Sequence, residues 1–310
     1  MDRSEAEKNA LLESVSRSFY LTIRALPKAM RQPIRTAYLL ARIADTIADT
    51  ADIPTGVRLT YLQTFRAILL REKAKEETHG IGLGIGPLQS NSAEKTLLTH
   101  LPEVFADYET LEPEDHKDVR WVLEQITTGQ EEDLLTPELE DAAALERYTW
   151  LVAGCVGEFW TKIGARKLKN FAALPEAEMI YLGANFGKGL QLVNILRDYP
   201  EDEKNGRSYI PIAADYDVWR KRAEALLEDG WRYVLALRSW RLRFACALPI
   251  LIGVRTLSLL GTTPPQHRIK VPRKTIRTMV IQIALRACSL RALDNYRRQT
   301  TRSLNGQLLF

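Results

Sequence analysis

The sequence predicts an all-α protein. Apolar residues recur at spacings of three and four over long segments, alternating strand-like runs are almost absent, and short Pro/Gly-containing breakers separate the segments. The first periodic segment covers 10–30 and the second 33–50, joined by "LPKAMRQP" (26–33) with its two prolines. A third covers 57–71. After it, "REKAKEETH" reads as charged helix and "GIGLGIGPLQSNS" (80–92) as a loop. The Gly82-x-Gly84-x-Gly86 spacing is not a phosphate cradle, because no strand precedes it and Pro87 follows. Segments 95–110 and 115–128 come next, then the connector "TPEL" (136–139). Segments 142–165 and 176–203 lead to "NGRSYIPI" (205–212), and 215–237 and 239–260 lead to "GTTPPQHRIKVP" (261–272). A last segment, 272–298, closes the periodic pattern. No linker or repeat divides the 310 residues, so one domain over 1–310 is expected.

Composition excludes several classes. With 45% hydrophobic residues the chain can bury a large core. Forty-three basic against 39 acidic residues, without a long Lys/Arg run, argue against nucleic acid and suit an anionic substrate or membrane surface. Cys155, Cys246 and Cys288 lie far apart without a CxxC, so they read as buried reduced thiols. The four histidines neighbour neither each other nor an acid pair, which disfavours a zinc-type site. The first residues lack the apolar core of a signal peptide. Phe244–Leu260 carries Pro249 and Arg255 and falls short of the roughly 20 apolar residues of a membrane span. A cytoplasmic protein is expected, at most peripheral to the inner membrane face, with no transmembrane anchor and no obligate protein partner.

The chemistry lies in two acid pairs. "LLARIADTIADT" (39–50) places Asp45 and Asp49 one helical turn apart in an apolar run. One such pair fits a solvated face. "QLVNILRDYPED" (191–202) repeats the spacing with Asp198 and Asp202, flanked by Arg197 and Glu201. Two pairs facing one helical cavity would supply oxygen-only ligands, which suit Mg²⁺ holding a diphosphate. Loss of a metal-neutralised diphosphate from an allylic carbon leaves a carbocation, which requires a dry cavity.

At these residues the chain resembles the squalene and phytoene synthases, the head-to-head prenyl diphosphate synthases. The likeness covers about residues 14–298 through "SVSRSFYLTIRALP" (14–27), "AYLLARIADTIAD" (37–49), "YTWLVAGCVGEFW" (148–160), "GLQLVNILRDYPED" (189–202) and "GRSYIP" (206–211). The resemblance implies a single all-α isoprenoid-synthase bundle around a central active-site cavity. It implies Mg²⁺ on Asp45, Asp49, Asp198 and Asp202, and a catalytic set completed by Tyr38, Arg42 and Tyr148. Ser16, Arg17, Ser18 and Phe19 match the flap that contacts substrate. Gln191, Asn194 and Arg207 match polar and basic positions around the second pair.

Within the family, "FACALPILIGVRTLSLL" (244–260) followed by "HRIKVPRK" (267–274) resembles the squalene branch. That likeness implies NADPH, with Arg17, Arg42, Arg197, Lys270 and Arg273 as phosphate contacts, since guanidinium and ammonium groups pair with phosphate oxygens. It implies two farnesyl diphosphates condensed to presqualene diphosphate and then reduced to squalene. A phytoene or dehydrosqualene synthase, which needs no hydride, is the alternative; a non-catalytic prenyl-lipid-binding protein is the third.

Three departures qualify the likeness. Ala48 stands where the squalene branch carries a glutamate, and Leu151 where eukaryotic members carry a tyrosine, leaving Tyr148 as the nearby phenol; this points to a bacterial branch. Pro200 lies inside the second motif and predicts a kink or helix end near 198–200. Tyr20, Trp150, Phe159, Trp160, Phe186 and Phe244 are candidate tunnel linings, and Trp219, Trp231 and Trp240 read as outer-face packing. Gly154, Gly157, Gly183, Gly187 and Gly189 serve either close helix approach or room for a prenyl chain.

Overall fold

The computed structural model describes residues 5–16, 18–136, 138–211 and 215–306. Every regular element among them is helical, as the periodicity predicts, and only two isolated bridges, Glu138 to Ser208 and Ala172 to Leu237, interrupt the pattern. The chain forms two compact units: residues through Arg24 with Lys28–Leu135, and Ala25–Pro27 with the residues from Thr136 onward.

The first unit contains α1 (Glu5–Ser16), α2 (Ser18–Ala25), α3 (Lys28–Asp49), α4 (Thr55–Leu69), α5 (Thr78–Ile85), α6 (Ser92–Thr99), α7 (Leu101–Glu109) and α8 (Pro113–Leu135). Its organising element is α3, which packs on α4, α7 and α8. Leu40, Ile43, Ala44 and Ile47 are fully buried.

Two boundaries differ from expectation. The breaker at 26–33 is shorter than its prolines suggest, because α3 starts at Lys28 and carries Pro33 inside it. Pro33 falls early in the helix, where Met30 and Ile34 on either side are buried; this packing offsets the lost hydrogen bond. The glycine-rich 80–92 segment is not all loop: α5 runs to Ile85, and a 3₁₀ turn follows over Gly86–Leu88. Ile81 and Ile85 are buried, and a Cβ on Gly82 would stand 2.8 Å from the Leu98 carbonyl oxygen. The glycine there permits close packing rather than a turn. The charged stretch before it is not a continuous helix. Arg71 takes a left-handed φ of 60°, and a 3₁₀ turn at Lys75–Glu77 leads into α5.

The second unit contains α9 (Ala142–Thr149), a π-helical turn (Trp150–Gly154), α10 (Cys155–Lys167), α11 (Glu176–Lys204), α12 (Tyr216–Ala236), α13 (Trp240–Leu259), α14 (Arg273–Arg286) and α15 (Leu290–Gly306). The segment 272–298 is two helices. Ala287–Ser289 break it, and the Ala292 amide donates to Ser289 Oγ at 3.3 Å to open α15. α11 packs against α10, α12 and α13. Glycine allows the tightest of these contacts: a Cβ on Gly157 would stand 1.8 Å from the Gly183 carbonyl oxygen. At this crossing the glycines serve close helix approach.

α11 does not end at Pro200 but continues to Lys204. Pro200 cannot donate to the carbonyl of Leu196, and the Tyr216 hydroxyl donates to that oxygen instead at 3.0 Å. A buried side chain from α12 thus replaces the missing backbone donor, and the helix carries Asp202 in register with Asp198. Trp219 and Trp231 are buried rather than outer-face residues, because α12 is enclosed by its neighbours. The Trp231 indole donates to Asp294 Oδ1 at 2.9 Å, which satisfies its one polar atom. Trp240 is exposed. Cys155 and Cys246 are buried as expected, whereas Cys288 is exposed in the break between α14 and α15. α13 is long and apolar enough to cross a membrane, and 67% of its most apolar window is buried inside the fold.

Candidate active site

In the first unit the site residues share the one side of α3 that the core leaves open. Tyr38, Arg42 and Asp45 are half-buried and Asp49 is exposed, at successive turns, while the residues between them are mostly buried. Arg42 donates to Glu94 Oε1 at 2.5 Å and stands 3.8 Å from Asp45 Oδ2. Gln130 on α8 donates from Nε2 to Asp45 Oδ1 at 2.6 Å, and its own Oε1 is buried with no hydrogen-bond partner among the described residues.

The Asp45 side chain keeps 44% of its surface open, and Gln130 and Arg42 approach its carboxyl oxygens. Burial first, and then the neighbouring Asp49 charge, push its pKa up to about 6, against the opposing pull of Arg42 and Gln130. Burial likewise pushes Tyr38 up to about 12, so its phenol stays protonated. Ala48 is buried, and its carbonyl accepts a 2.6 Å hydrogen bond from Arg58, which ties off the acidic end of α3. The position of the missing glutamate therefore belongs to the core of this unit.

In the second unit the open side of α11 carries Gln191, Asn194, Asp198 and Asp202 at helical spacing, between buried Leu192, Val193, Ile195 and Leu196. Asp198 is held by two guanidiniums. Arg197 donates from Nε to Oδ1 at 2.7 Å and from Nη2 to Oδ2 at 2.6 Å. Arg268 approaches from the connector before α14, with Nε 2.7 Å from Asp198 Oδ1 and Nη1 3.0 Å from Glu201 Oε2. Sequence reasoning missed Arg268; the signal available was the basic run "HRIKVPRK", of which it weighed only Lys270 and Arg273. Both of those are exposed, and neither forms an ion pair among the described residues.

Tyr148, at the end of α9, stacks on Tyr209 with ring centroids 5.0 Å apart and planes 19° apart. Arg207 Nη1 reaches the Tyr209 hydroxyl at 3.5 Å, so the segment after the second acid pair joins Tyr148 and Arg207 through a residue that sequence reasoning did not single out. The π-helical turn Trp150–Gly154 begins two residues after Tyr148, at the end of α9, and such turns recur at functional sites.

Ser16 is buried, and its hydroxyl donates to the Leu12 carbonyl at 2.5 Å. Arg17 lies outside the described residues, as do the side chains of Ser18 and Phe19. Among the described residues no three His, Cys, Asp or Glu side chains gather into a metal cage. Each acid pair is a two-carboxylate, oxygen-only donor set. That suits Mg²⁺, which keeps waters and completes its shell with phosphate oxygens.

Comparison with known proteins bears on the family and the fold. Residues 12–214 match the family described as squalene/phytoene synthase. The Botryococcus squalene synthase of Botryococcus braunii is 28% identical over 291 residues, covering 83% of this chain and 58% of its own length. The chain thus spans less than two thirds of that relative. Among solved structures, TcSQS in complex with the ligand E5700 superimposes with a TM-score of 0.73 at 20% identity, over 97% of this chain and 98% of the other. A dehydrosqualene synthase in complex with ligand gives 0.58 at 21% identity, over 90% and 94%. These likenesses show the fold.

Proposed function

Because the chain belongs to the squalene/phytoene synthase family, we propose that it is a Mg²⁺-dependent prenyltransferase that joins two farnesyl diphosphates head to head into presqualene diphosphate and reduces this with NADPH to squalene. The observation that carries the reading is the open side of α3, where Tyr38, Arg42, Asp45 and Asp49 replace the apolar residues of an otherwise buried helix. Each acid pair, Asp45 with Asp49 on α3 and Asp198 with Asp202 on α11, would hold Mg²⁺. The metal supplies electrophilic neutralisation of the departing diphosphate.

The protein's own groups do the rest. Arg42 beside the first acid pair, and Arg197 and Arg207 beside the second, would compensate the charge on a diphosphate held at that pair. Gln191 and Asn194 orient it by hydrogen bonds. Gln130 fixes the orientation of the Asp45 carboxylate. Tyr148, held flat against Tyr209, presents a phenol and an aromatic face, which suit proton transfer and a passing cation respectively. Lys270 and Arg273, exposed and without ion pairs among the described residues, are the contacts for the NADPH phosphates.

Asp49→Ala and Asp202→Ala should each reduce diphosphate release by about a thousandfold or more, as expected for loss of a transition-state metal ligand. Near-normal turnover in both variants would overturn the mechanism.

One observation favours the alternative, a synthase that ends by proton loss without hydride. Arg268 draws the basic connector onto Asp198 and Glu201, which commits this cation to the acid pair and leaves it unavailable to a cofactor phosphate. In that case Lys270→Ala and Arg273→Ala leave the product unchanged. Under the squalene reading they divert it to a dehydrosqualene or to accumulated presqualene diphosphate.

A further inference from the structure

The charge of this chain is unevenly distributed. From Gly230 to Leu293 there is no acidic residue, and from Gly230 to the end Asp294 is the only one, against fifteen lysines and arginines. The mild overall charge of +4 therefore conceals a strongly basic C-terminal quarter.

Within that quarter, α14 shows two contrasting sides. Met279 and Ile283 are buried against the unit. The opposite side runs through Lys274, Arg277, Ile281 and Leu285 at spacings of three and four, all exposed. Ile281 is 58% exposed, Leu285 73%, and Leu290, at the start of α15, 42%. Lys274 and Arg277 form no ion pair among the described residues. The helix thus turns outward large aliphatic side chains with cations one and two turns before them.

We propose that the outer side of α14 docks this protein onto an anionic lipid surface. Ile281, Leu285 and Leu290 enter the boundary between headgroups and acyl chains, and Lys274 and Arg277 meet lipid phosphates. An acidic protein partner would account for the cations but not for the aliphatic residues among them. A second copy of the chain would bring like-charged α14 surfaces together. An anionic bilayer satisfies both features, because adsorption of such a helix adds apolar burial to charge attraction. The proposal uses residues apart from the acid pairs and is independent of the reaction assigned to them.

The test uses the full chain with its three cysteines. Cys288 is exposed beside the patch, while Cys155 and Cys246 are buried, so a thiol-reactive environment-sensitive dye labels Cys288 selectively. Labelled protein is mixed with vesicles of phosphatidylcholine alone, or of phosphatidylcholine with phosphatidylglycerol, and flotation is measured in parallel. The expected result is a blue shift and co-flotation with the anionic vesicles only, both suppressed at high salt. Ile281→Ser/Leu285→Ser and Lys274→Gln/Arg277→Gln should each weaken vesicle binding at least tenfold, with unchanged thermal melting and diphosphate release. Equal binding by wild type and both variants, or no binding to anionic vesicles, overturns the proposal. So does conversion of a dimer to monomer by the Ser variant without any vesicle effect.

Discussion

Arg268 binds Asp198 from the connector before α14: its Nε lies 2.7 Å from Oδ1, while its Nη1 reaches Glu201 Oε2 at 3.0 Å. A guanidinium and Mg²⁺ compete for the same carboxylate oxygens. Arg268→Gln should therefore lower the Mg²⁺ concentration for half-maximal diphosphate release several-fold, with Arg268→Lys intermediate. A Mg²⁺ titration of initial rates measures this. An unchanged or raised requirement would show that Arg268 does not compete with the metal.

Asp45 gives a pH signature. Its folded-state pKa of about 6 lies above the ordinary aspartate value of about 3.9. Between those values the folded protein holds a proton that the unfolded chain releases. The stabilising contribution of protonated Asp45 is therefore full below about pH 3.9 and is lost as pH rises through about 6. In EDTA, the melting temperature of wild type relative to Asp45→Asn should fall over that window. A difference that stays constant from pH 4 to 7.5 would contradict it.

The crossing of α10 and α11 makes a stability prediction. A Cβ on Gly157 would overlap the Gly183 carbonyl oxygen, which is backbone and cannot rotate away. Gly157→Ala should cost about 3 kcal/mol or more in urea unfolding, at the upper end of overpacking. Gly80, exposed within α5 with open space around it, is the control. Gly80→Ala should stabilise by about 0.5–1 kcal/mol through helix propensity.

The hydrogen bond from Tyr216 to the Leu196 carbonyl makes another. Tyr216→Phe leaves that buried oxygen unpaired and should cost about 1–3 kcal/mol. In a Pro200→Ala background the residue 200 amide can take over, so the same substitution should cost much less. A double-mutant cycle in urea measures the coupling, and strict additivity would refute it.

Much of the candidate site was legible because its signal is local. Asp45 and Asp49, and Asp198 and Asp202, stand one turn apart, and residues one turn apart share a side of a helix in any tertiary setting. What sequence reasoning missed depends on contacts distant in the chain. Arg268 is one cation among several in a connector until the fold brings it to Asp198. Pro200 reads as a helix end because the Tyr216 hydroxyl that replaces its amide lies on the next helix. The glycines of α5 read as a loop because their use, close approach to α6 and Tyr61, is not local either. Trp231 looked like surface packing because its partner, Asp294, is 63 residues away.

The central claim is tested most directly by product identification. The protein is incubated with farnesyl diphosphate and Mg²⁺, with and without NADPH, and the apolar extract is analysed by mass. The account predicts squalene with NADPH, and presqualene diphosphate or a dehydrosqualene without it. A hydrocarbon product unaffected by NADPH would contradict the reductive half of the account, and no diphosphate release at any Mg²⁺ concentration would contradict all of it.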